Sequence, residues 1–336
     1  MKKVFSFFCK LAISALIAMV ILSVFALVYY NPPRAAAQPD KYTNSKFVAG
    51  SYWSDMTEGI GYGKTNDLGY NEADAYNADA PLVAIIGSSH TEALQIPQKE
   101  TYTVLLQEQL HNNGKTDVEC LNLGKSGHFF NISVSNFEYF ADYFPNVECA
   151  VIETSNLHFT EQELENMLAG EYHKDMSERG GLYALAQKVP YLRLLYKQYQ
   201  DSRKKESGAA SAEATPFDYD AYAMGVDKVM QKISGIASEK EFSLVILYHS
   251  SVQVQNGKGS RVDDPQQVEI FRQCCEQNGI RFVDVTEQFV EHFNNTYELP
   301  YGFSNTTMGT GHLNTLGHSM IADALYGHVT EIMEGE

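Results

Sequence analysis

Short apolar segments alternate with amphipathic ones over residues 81–154, and this alternation constrains the fold more than any other feature of the chain. The segments 81–87, 117–124 and 147–154 predict buried strands, and the segments 101–114 and 131–144 between them have helical spacing. Strands that are separated by helices pair in parallel through right-handed crossovers. The pattern therefore predicts a parallel sheet with helices on both faces.

The alternation breaks at residue 160 and resumes near residue 222. Residues 160–200 have amphipathic helical spacing, and 201–216 are polar, charged and small, which is typical of a loop or disorder. We interpret 160–216 as an insertion. The later segments with helical spacing are 222–240, 265–279 and 315–333, and the later strands are 242–250 and 280–285. The whole predicts one α/β domain over 81–335, with a doubly wound, mostly parallel sheet of five strands.

The first thirty residues predict an N-terminal transmembrane anchor. Residues 11–30 carry no charge and match the roughly 20 residues that a membrane-spanning helix needs. The basic start, with Lys2 and Lys3, favours a cytoplasmic N-terminus and hence a single-pass protein whose domain lies outside the cytoplasm. A cleavable signal stays open as an alternative, because the small residues 35–38 would suit a peptidase.

The segment between this anchor and the first strand shows no regular pattern. Residues 31–46 have the composition of a polar linker, and 47–80 are rich in Gly, Asn, Asp and Tyr and predict an irregular lead-in. The formal charge of -17 argues against nucleic acid as a partner, because phosphates require Lys and Arg.

Polar residues follow the predicted strands at the edge where such sheets bind ligands. Ser89 follows the first strand, Gly127 the second and Asn156 the third, while His312 precedes the last helix. Serine acyl chemistry needs a hydroxyl, a base and donors for an oxyanion. The order predicts Ser89 as nucleophile and His312 as base. The amides of Ser89 and Gly127 and the side chain of Asn156 would form the oxyanion hole.

These four segments resemble the SGNH hydrolases, also called the GDSL esterase and acyltransferase superfamily, in a membrane-anchored bacterial form. The residues that carry the resemblance are "GSSHTEA" (87–93), "NLGKSG" (122–127), "ETSN" (153–156) and "GTGHLNTLGHSMIADAL" (309–325). The resemblance implies a flavodoxin-like sheet and ester chemistry at Ser89. Together with the anchor, it implies a cell-surface glycan as substrate and acetyl as the transferred group.

The chain departs from the family pattern at two positions. Ser88 replaces the family's Asp in the first segment, where we expect it to be structural. Gly309 occupies the position three before His312, where the family carries the acid that orients the histidine. Asp284, at the end of a neighbouring strand, is one candidate for that acid, and a main-chain carbonyl is another. Triads tolerate such variation.

Further titratable residues fall close to the same edge. His90, His128 and His158 each follow a motif residue, and Glu153 precedes one. Histidine clusters bind transition metals, but no spacing here forms a metal site in advance. We therefore expect these four residues to line the substrate pocket, with neither metal nor cofactor.

Two functions follow from these observations. The first is a membrane-anchored, extracytoplasmic serine esterase or O-acyltransferase that acts on a cell-surface carbohydrate. The second is a non-catalytic glycan-binding or scaffold protein on the same fold, and Gly309 is the feature that favours it.

Overall fold

The core of the molecule is a five-stranded parallel sheet. The computed structural model describes residues 2–36, 42, 46–170, 189–206, 217–307 and 309–335. From one edge of the sheet to the other, the strands are β10 (Arg281–Asp284), β7 (Ser243–Tyr248), β6 (Val147–Thr154), β4 (Leu82–Ile86) and β5 (Glu119–Asn122). The doubly wound α/β fold predicted from the sequence is confirmed.

Side chains of the central strand β4 alternate between the two faces of the sheet. Val83 and Ile85 are fully buried on one face, and Leu82, Ala84 and Ile86 are buried on the other. Successive residues of a strand point to opposite faces, so a strand covered on both sides is apolar throughout. This explains why the first predicted strand reads as an unbroken apolar run.

Helices cover each face. On the face of Leu82 lie Phe130–Ser135, Phe137–Tyr143, Tyr219–Glu239 and Pro265–Gln277, and on the face of Val83 lie Tyr102–Asn112, Thr286–Thr296 and Thr315–Met333. The segment 131–144, predicted as one helix, forms two. They meet at Asn136, whose buried side-chain amide donates to the carbonyl of Tyr42. Thr286–Thr296 was not predicted from the sequence.

The lead-in is more regular than its composition indicates. A three-stranded antiparallel sheet forms from β1 (Tyr30–Asn31), β2 (Tyr52–Asp55) and β3 (Gly61–Lys64). The predicted linker 31–46 is also tied to the segment that follows it, because the N–H of Val48 donates to the carbonyl of Arg34 at 2.7 Å. Residues 37–41 and 43–45 lie outside the described part. Polar, glycine-rich strands give no apolar alternation, which is why sequence patterning missed them.

The predicted insertion contains two described helices, Glu161–Ala169 and Pro190–Glu206. Residues 171–188 and 207–216 lie outside the described residues. The second helix continues through 201–206, which the sequence analysis assigned to a loop. An additional hairpin, β8 (Val252–Gln255) with β9 (Lys258–Arg261), follows β7 and was not predicted.

The N-terminal helix Lys2–Tyr29 is the one helix, within the described ranges, that is long and apolar enough to cross a membrane. A signal sequence would meet the same criterion. Ala26, in its last turn, is fully buried, whereas most of the helix is exposed.

The strand order places a topological switch between β4 and β6. The next strand in the chain after β4 is β5, which lies on one side of the pair, and the next strand after β6 is β7, which lies on the other side. A crevice therefore opens at the carboxyl ends of β4 and β6. Ser88 and Ser89 follow β4 there, and Asn156 follows β6.

Candidate active site

The turn after β4 presents Ser89 at the start of a short helix, Ser89–Glu92. Its predecessor Ser88 is buried, and the Ser88 backbone N–H donates to the Glu153 carboxylate at 2.8 Å. The hydroxyls of Ser88 and Thr91 donate to the same oxygen at 3.1 and 3.0 Å. Glu153 therefore fixes the turn from below, and Ser88 has a structural position, as expected from the sequence.

Glu153 is itself held in a charged state by its surroundings. Burial would raise the pKa of this carboxyl, but the hydrogen bond and charge of His249, with the Ser88 amide, outweigh burial and lower it to about 2. His249 Nε2 lies 3.0 Å from the carboxylate, and its Nδ1 contacts the Tyr301 hydroxyl. Glu153 thus supports the turn that carries Ser88 and Ser89, and it also lines a cavity beside Ser88.

The Ser89 hydroxyl lies 2.9 Å from Nε2 of His312. These two residues are 223 positions apart, and the fold brings them within hydrogen-bond distance, as the sequence analysis expects. The loop that carries His312 is closed by the Gly302 N–H, which donates to the His312 carbonyl at 2.9 Å. Asn314 then caps the last helix by accepting from the Gly317 N–H.

The other ring nitrogen of His312 contacts a residue that the sequence analysis did not single out. Nδ1 lies 2.8 Å from the Glu58 carboxylate, and the His312 backbone N–H donates to the second carboxylate oxygen at 2.8 Å. Burial would raise the pKa of Glu58, but the hydrogen bond and charge of His312 outweigh burial and lower it. A carboxylate in this position fixes the tautomer and orientation of the ring.

Glu58 reaches the ring because the turn after β2 is tightly shaped. The Asp55 carboxylate accepts from both the N–H and the hydroxyl of Thr57, at 2.9 and 2.6 Å. On the other side, the Asn305 amide donates to the Thr57 carbonyl at 3.1 Å. Gly311 leaves the room for Glu58, since a Cβ added at Gly311 would lie 2.4 Å from a Glu58 oxygen.

Asp284, the candidate for the orienting acid, lies elsewhere. Its carboxylate accepts from the Arg261 guanidinium at 2.8 Å and from the Thr286 N–H at 2.9 Å. The position beside His312 belongs to Glu58 and is filled neither by Asp284 nor by a main-chain carbonyl. No spacing rule could have linked Glu58 to His312, because the acid comes from the irregular lead-in.

A cluster of rings lies beneath the Ser89–His312 pair. His90 packs at 5.3 Å from the His312 ring and 4.9 Å from the His249 ring, and its Nδ1 accepts from the Leu313 N–H. Burial and then the charge of His249 lower the pKa of His90 well below its ordinary value, so this ring stays neutral. Burial likewise lowers the pKa of His318 to about 3. His90 therefore supports the His312 loop.

The loop that contains Gly127 is fastened to the short helix that begins at Ser89. The buried Glu92 carboxylate accepts from the Lys125 ammonium at 3.0 Å and from the Ser126 N–H at 2.9 Å, and it also bonds the Ser126 hydroxyl. Gly127 follows with a φ of +83°, which glycine adopts readily. The sequence analysis missed Glu92 because its partners are distant in the chain.

Asn156 lies in the exposed loop after β6. Its side-chain amide donates to the His158 carbonyl at 3.3 Å and its oxygen accepts from the His158 N–H at 3.0 Å. His158 itself turns toward Gln267, at 3.1 Å, and packs on the Phe217 ring. His128 has its backbone N–H bonded to the Lys125 carbonyl. The oxyanion roles of Ser89, Gly127 and Asn156 stay predictions.

Two cavities lie next to the segments that carry Ser89, Glu58 and His312, although these three residues do not line either of them. One of about 190 Å³ reaches from Ser88 and Glu153 to Asn156, and three aromatic rings line it: Phe129, Phe130 and Phe159. The other, about 700 Å³ and more open, is lined by Ile60, Tyr62, Phe303 and Asn314, so its wall starts two residues beyond Glu58 and His312 in the chain. Among the residues that the structure describes, no group of three or more His, Cys, Asp and Glu side chains is arranged to hold a metal ion.

Solved structures that resemble this fold include ester hydrolases at low sequence identity. An acetyl xylan esterase is 16% identical over 74% of this chain and 99% of its own, with a TM-score of 0.40. The esterase EstA from Pseudoalteromonas sp. is 12% identical over 76% of this chain and 99% of its own, with a TM-score of 0.41.

A two-domain esterase active on acetylated mannans is 11% identical over 75% of this chain and 50% of its own, with a TM-score of 0.42. No protein-family model matches the chain, and no curated protein matches it. Likeness at this level adds nothing to the case for a function, which therefore rests on the residues of the site.

Proposed function

We propose that this protein is a membrane-anchored serine esterase or O-acyltransferase of the SGNH type, with Ser89, His312 and Glu58 as its catalytic residues. One observation carries the proposal. Ser89 Oγ, both ring nitrogens of His312 and the Glu58 carboxylate form a continuous chain of contacts at 2.9 and 2.8 Å. A nucleophile, a base and an orienting acid in this relation are the parts of a catalytic triad.

The reaction proceeds in two acyl transfers. Ser89 Oγ attacks the ester carbonyl carbon while its proton passes to Nε2 of His312, and Glu58 stabilises the resulting imidazolium. The C–O bond to the leaving alcohol breaks, and His312 returns the proton to that oxygen. Water or a second hydroxyl then attacks the acyl carbon while His312 takes its proton, the bond from that carbon to Ser89 Oγ breaks, and His312 returns the proton to Oγ.

The developing oxyanion needs donors close to Ser89. We assign this role to the N–H groups of Ser89 and Gly127 and, after a rotation of its side chain, to the Nδ2 of Asn156. The rotation gives up two exposed bonds to His158, in which Nδ2 donates to the carbonyl at 3.3 Å and Oδ1 accepts from the N–H at 3.0 Å, and water can replace both. Each such donor typically lowers the barrier by about 3 kcal/mol.

The smaller cavity supports a short acyl group. At about 190 Å³, walled by three phenylalanine rings and next to Ser88, it suits acetyl better than a long chain. The larger groove, with Tyr62 and Phe303, is lined by the segments that follow Glu58 and His312 in the chain, and we assign it to the alcohol part of the ester. We infer an acetylated carbohydrate of the cell envelope as substrate, with the domain outside the cytoplasm.

The alternative function is a non-catalytic glycan-binding protein. Gly309 is the feature that favoured it, because this glycine stands where an acid was expected. Glu58 supplies the acid from another part of the chain, so the glycine no longer favours an inactive fold.

The test uses the purified full chain in detergent with 4-nitrophenyl acetate and a fluorophosphonate probe. We expect ester hydrolysis and covalent labelling that mass spectrometry maps to Ser89, both abolished by Ser89→Ala. The matched control is Ser243→Ala, which removes an exposed hydroxyl at the amino end of β7, away from the strand ends that carry the site. Labelling at another residue, or equal hydrolysis by Ser89→Ala, would refute the proposal.

A further inference from the structure

The end of the N-terminal helix is built into the sheet that carries Glu58. The Met56 N–H donates to the Tyr29 carbonyl at 2.8 Å, and the Ser54 hydroxyl donates to the Leu27 carbonyl at 3.0 Å. Tyr30 and Asn31 then continue as β1, paired antiparallel with β2. The helix therefore passes into the domain without a free tether.

A second helix, Pro190–Glu206, packs against the same junction. The Arg193 guanidinium donates to the Asn31 side chain at 3.2 Å, and the Lys197 ammonium lies 5.4 Å from the centre of the Tyr30 ring. On its outer side, Leu195 and Tyr199 are exposed. An amphipathic helix with basic residues and exposed apolar side chains beside a membrane-spanning helix is suited to the bilayer interface.

The distance from this junction to the nucleophile is short. Glu58 follows Met56 by two residues, which span about 7 Å at most. The Glu58 carboxylate contacts His312, and His312 contacts Ser89. The path from the Tyr29 carbonyl to the Ser89 hydroxyl is therefore at most roughly 25 Å along bonds and contacts, and the direct distance is less.

The turn that carries Glu58 is also held by the side chain of Asn305. The side chain of Asn305 donates to the Thr57 carbonyl and accepts from the Gly59 N–H, at 3.1 and 3.3 Å. The helix end, the Glu58 turn and the His312 side of the site thus form one connected unit. A swing of the domain away from the helix between residues 28 and 29 would break the bond from Ser54 to Leu27 but would leave the bond from Met56 to Tyr29, next to the Glu58 turn, in place.

On the basis of the proposed function, we infer that the active site works at the membrane surface and takes esters whose carrier is held in the bilayer by a lipid group. A site within about 25 Å of the membrane boundary meets bilayer-held molecules at a high local concentration. The face with Leu195 and Tyr199 rests on the lipid. The N-terminal helix is retained, because cleavage at 35–38 would remove β1 and its bonds to β2.

The experiment places the full chain in phosphatidylethanolamine and phosphatidylglycerol vesicles with two acetyl esters. One is soluble 4-methylumbelliferyl acetate, and the other is the same ester with a hexadecyl chain on the ring. A Gly/Ser linker of about 20 residues, with a mean span of about 25 Å, is inserted between Val28 and Tyr29 so that β1 stays with the domain. The matched control carries the same linker between Ala209 and Ala210.

We expect the linker at residue 28 to leave hydrolysis of the soluble ester unchanged and to lower hydrolysis of the lipid ester about tenfold. In detergent micelles, the protein with the linker at residue 28 and the unmodified protein should hydrolyse the lipid ester at the same rate. The double variant Leu195→Lys, Tyr199→Lys should lower only the lipid-ester rate, and combining it with the linker should lower that rate further.

Equal lipid-ester rates with and without the linker, or a parallel fall of both rates, would overturn the inference. Failure of the proposed function looks different. In that case the unmodified chain hydrolyses neither ester, or Ser89→Ala hydrolyses both as well as the unmodified chain does.

Discussion

The carboxylate of Glu58 lies 2.8 Å from the ring of His312, although the two residues are 254 positions apart. The acid that orients the histidine therefore comes from the segment before the first strand of the main sheet, and Gly309 occupies the place where an acid was expected. This relationship makes the N-terminal sheet, β1 to β3, a part of the candidate active site.

Replacing Glu58 tests this relationship directly. Glu58→Gln keeps the size of the side chain but removes the charge that stabilises the imidazolium and fixes its tautomer. We expect kcat for 4-nitrophenyl acetate to fall by about 10² to 10⁴, with little change in KM. Glu58→Asp should recover part of the loss, because it retains the charge at a longer distance.

The control for Glu58 is Asp284→Asn. Asp284 is paired with Arg261 and does not reach His312, so its kcat should stay within about threefold of the unmodified protein. Thermal unfolding of each variant shows whether a loss of activity is a loss of folded protein. A fully active Glu58→Gln, or an Asp284→Asn as impaired as we expect for Glu58→Gln, contradicts the assignment.

The strands of the main sheet were predictable because each is identified by a pattern within a few consecutive residues. Strands β4 and β6 are buried on both faces, so their apolar runs stand out in the sequence. Ser89 follows β4 directly, and a parallel sheet brings the strand ends to one edge. His312 lies just before the last helix, and the family resemblance singled it out.

Glu58 was not predictable because nothing local identifies it. It lies in a turn between two polar strands, and its position depends on contacts with Asn305 and Gly311, far along the chain. His249 and Glu92 were missed for the same reason, since each acts through partners that only the folded chain brings together. Glu153 was located correctly at the edge, but its burial beneath the nucleophile turn follows from packing.

Gly311 offers an independent test, because the absence of a side chain there leaves room for the Glu58 carboxylate. Gly311→Ala places a Cβ about 2.4 Å from the Glu58 carboxylate, which must then move away from His312. We expect kcat to fall at least tenfold while KM changes little, because the acid loses its contact and the remaining groups stay in place.

Gly114 is the matched control for this substitution. Its φ of +94° is close to the +97° of Gly311, but nothing lies within 4 Å of a Cβ added there. Both substitutions carry the same backbone strain, of order 1 kcal/mol. Gly114→Ala should therefore lower the melting temperature and leave kcat unchanged. Equal activities of the two variants would show that the Glu58 position is unimportant.

Glu92 tests whether the Gly127 loop takes part in catalysis. Glu92→Gln removes the charged acceptor that holds Lys125 and Ser126, and it destabilises the fold by about 1–3 kcal/mol. We expect kcat to fall at least tenfold, and fluorophosphonate labelling of Ser89 to slow in parallel, because both reactions place charge on an oxygen close to Gly127.

A variant of similar stability separates the two effects of Glu92→Gln. Asp218→Ala removes the cap of the helix Tyr219–Glu239, at a cost of about 1 kcal/mol, and lies outside the site. Its kcat and labelling rate should match those of the unmodified protein. If Glu92→Gln is destabilised yet labels at the normal rate, the loop has no role in binding the oxyanion.

Glu72 predicts a pH dependence of stability that is separate from catalysis. Burial, with smaller effects of Asp74 and Glu119, raises the pKa of its carboxyl to about 8, and one of its oxygens has no hydrogen-bond partner among the described residues. In the unfolded chain a glutamate loses its proton near pH 4.3. Between that pH and about 8, the folded protein holds one proton more than the unfolded one. The stability that comes from the protonated form is complete below about pH 4 and decreases as the pH rises to 8.

Glu72→Gln keeps the neutral shape at every pH. Its melting temperature should equal that of the unmodified protein at about pH 4 and exceed it clearly at pH 8, because the unmodified protein there pays for keeping its proton or for burying a charge. The control Glu148→Gln changes an exposed side chain and should shift the melting temperature little at either pH. Differential scanning calorimetry across this range measures both. A difference between Glu72→Gln and the unmodified protein that is the same at all pH values would show that Glu72 does not hold its proton in the folded state.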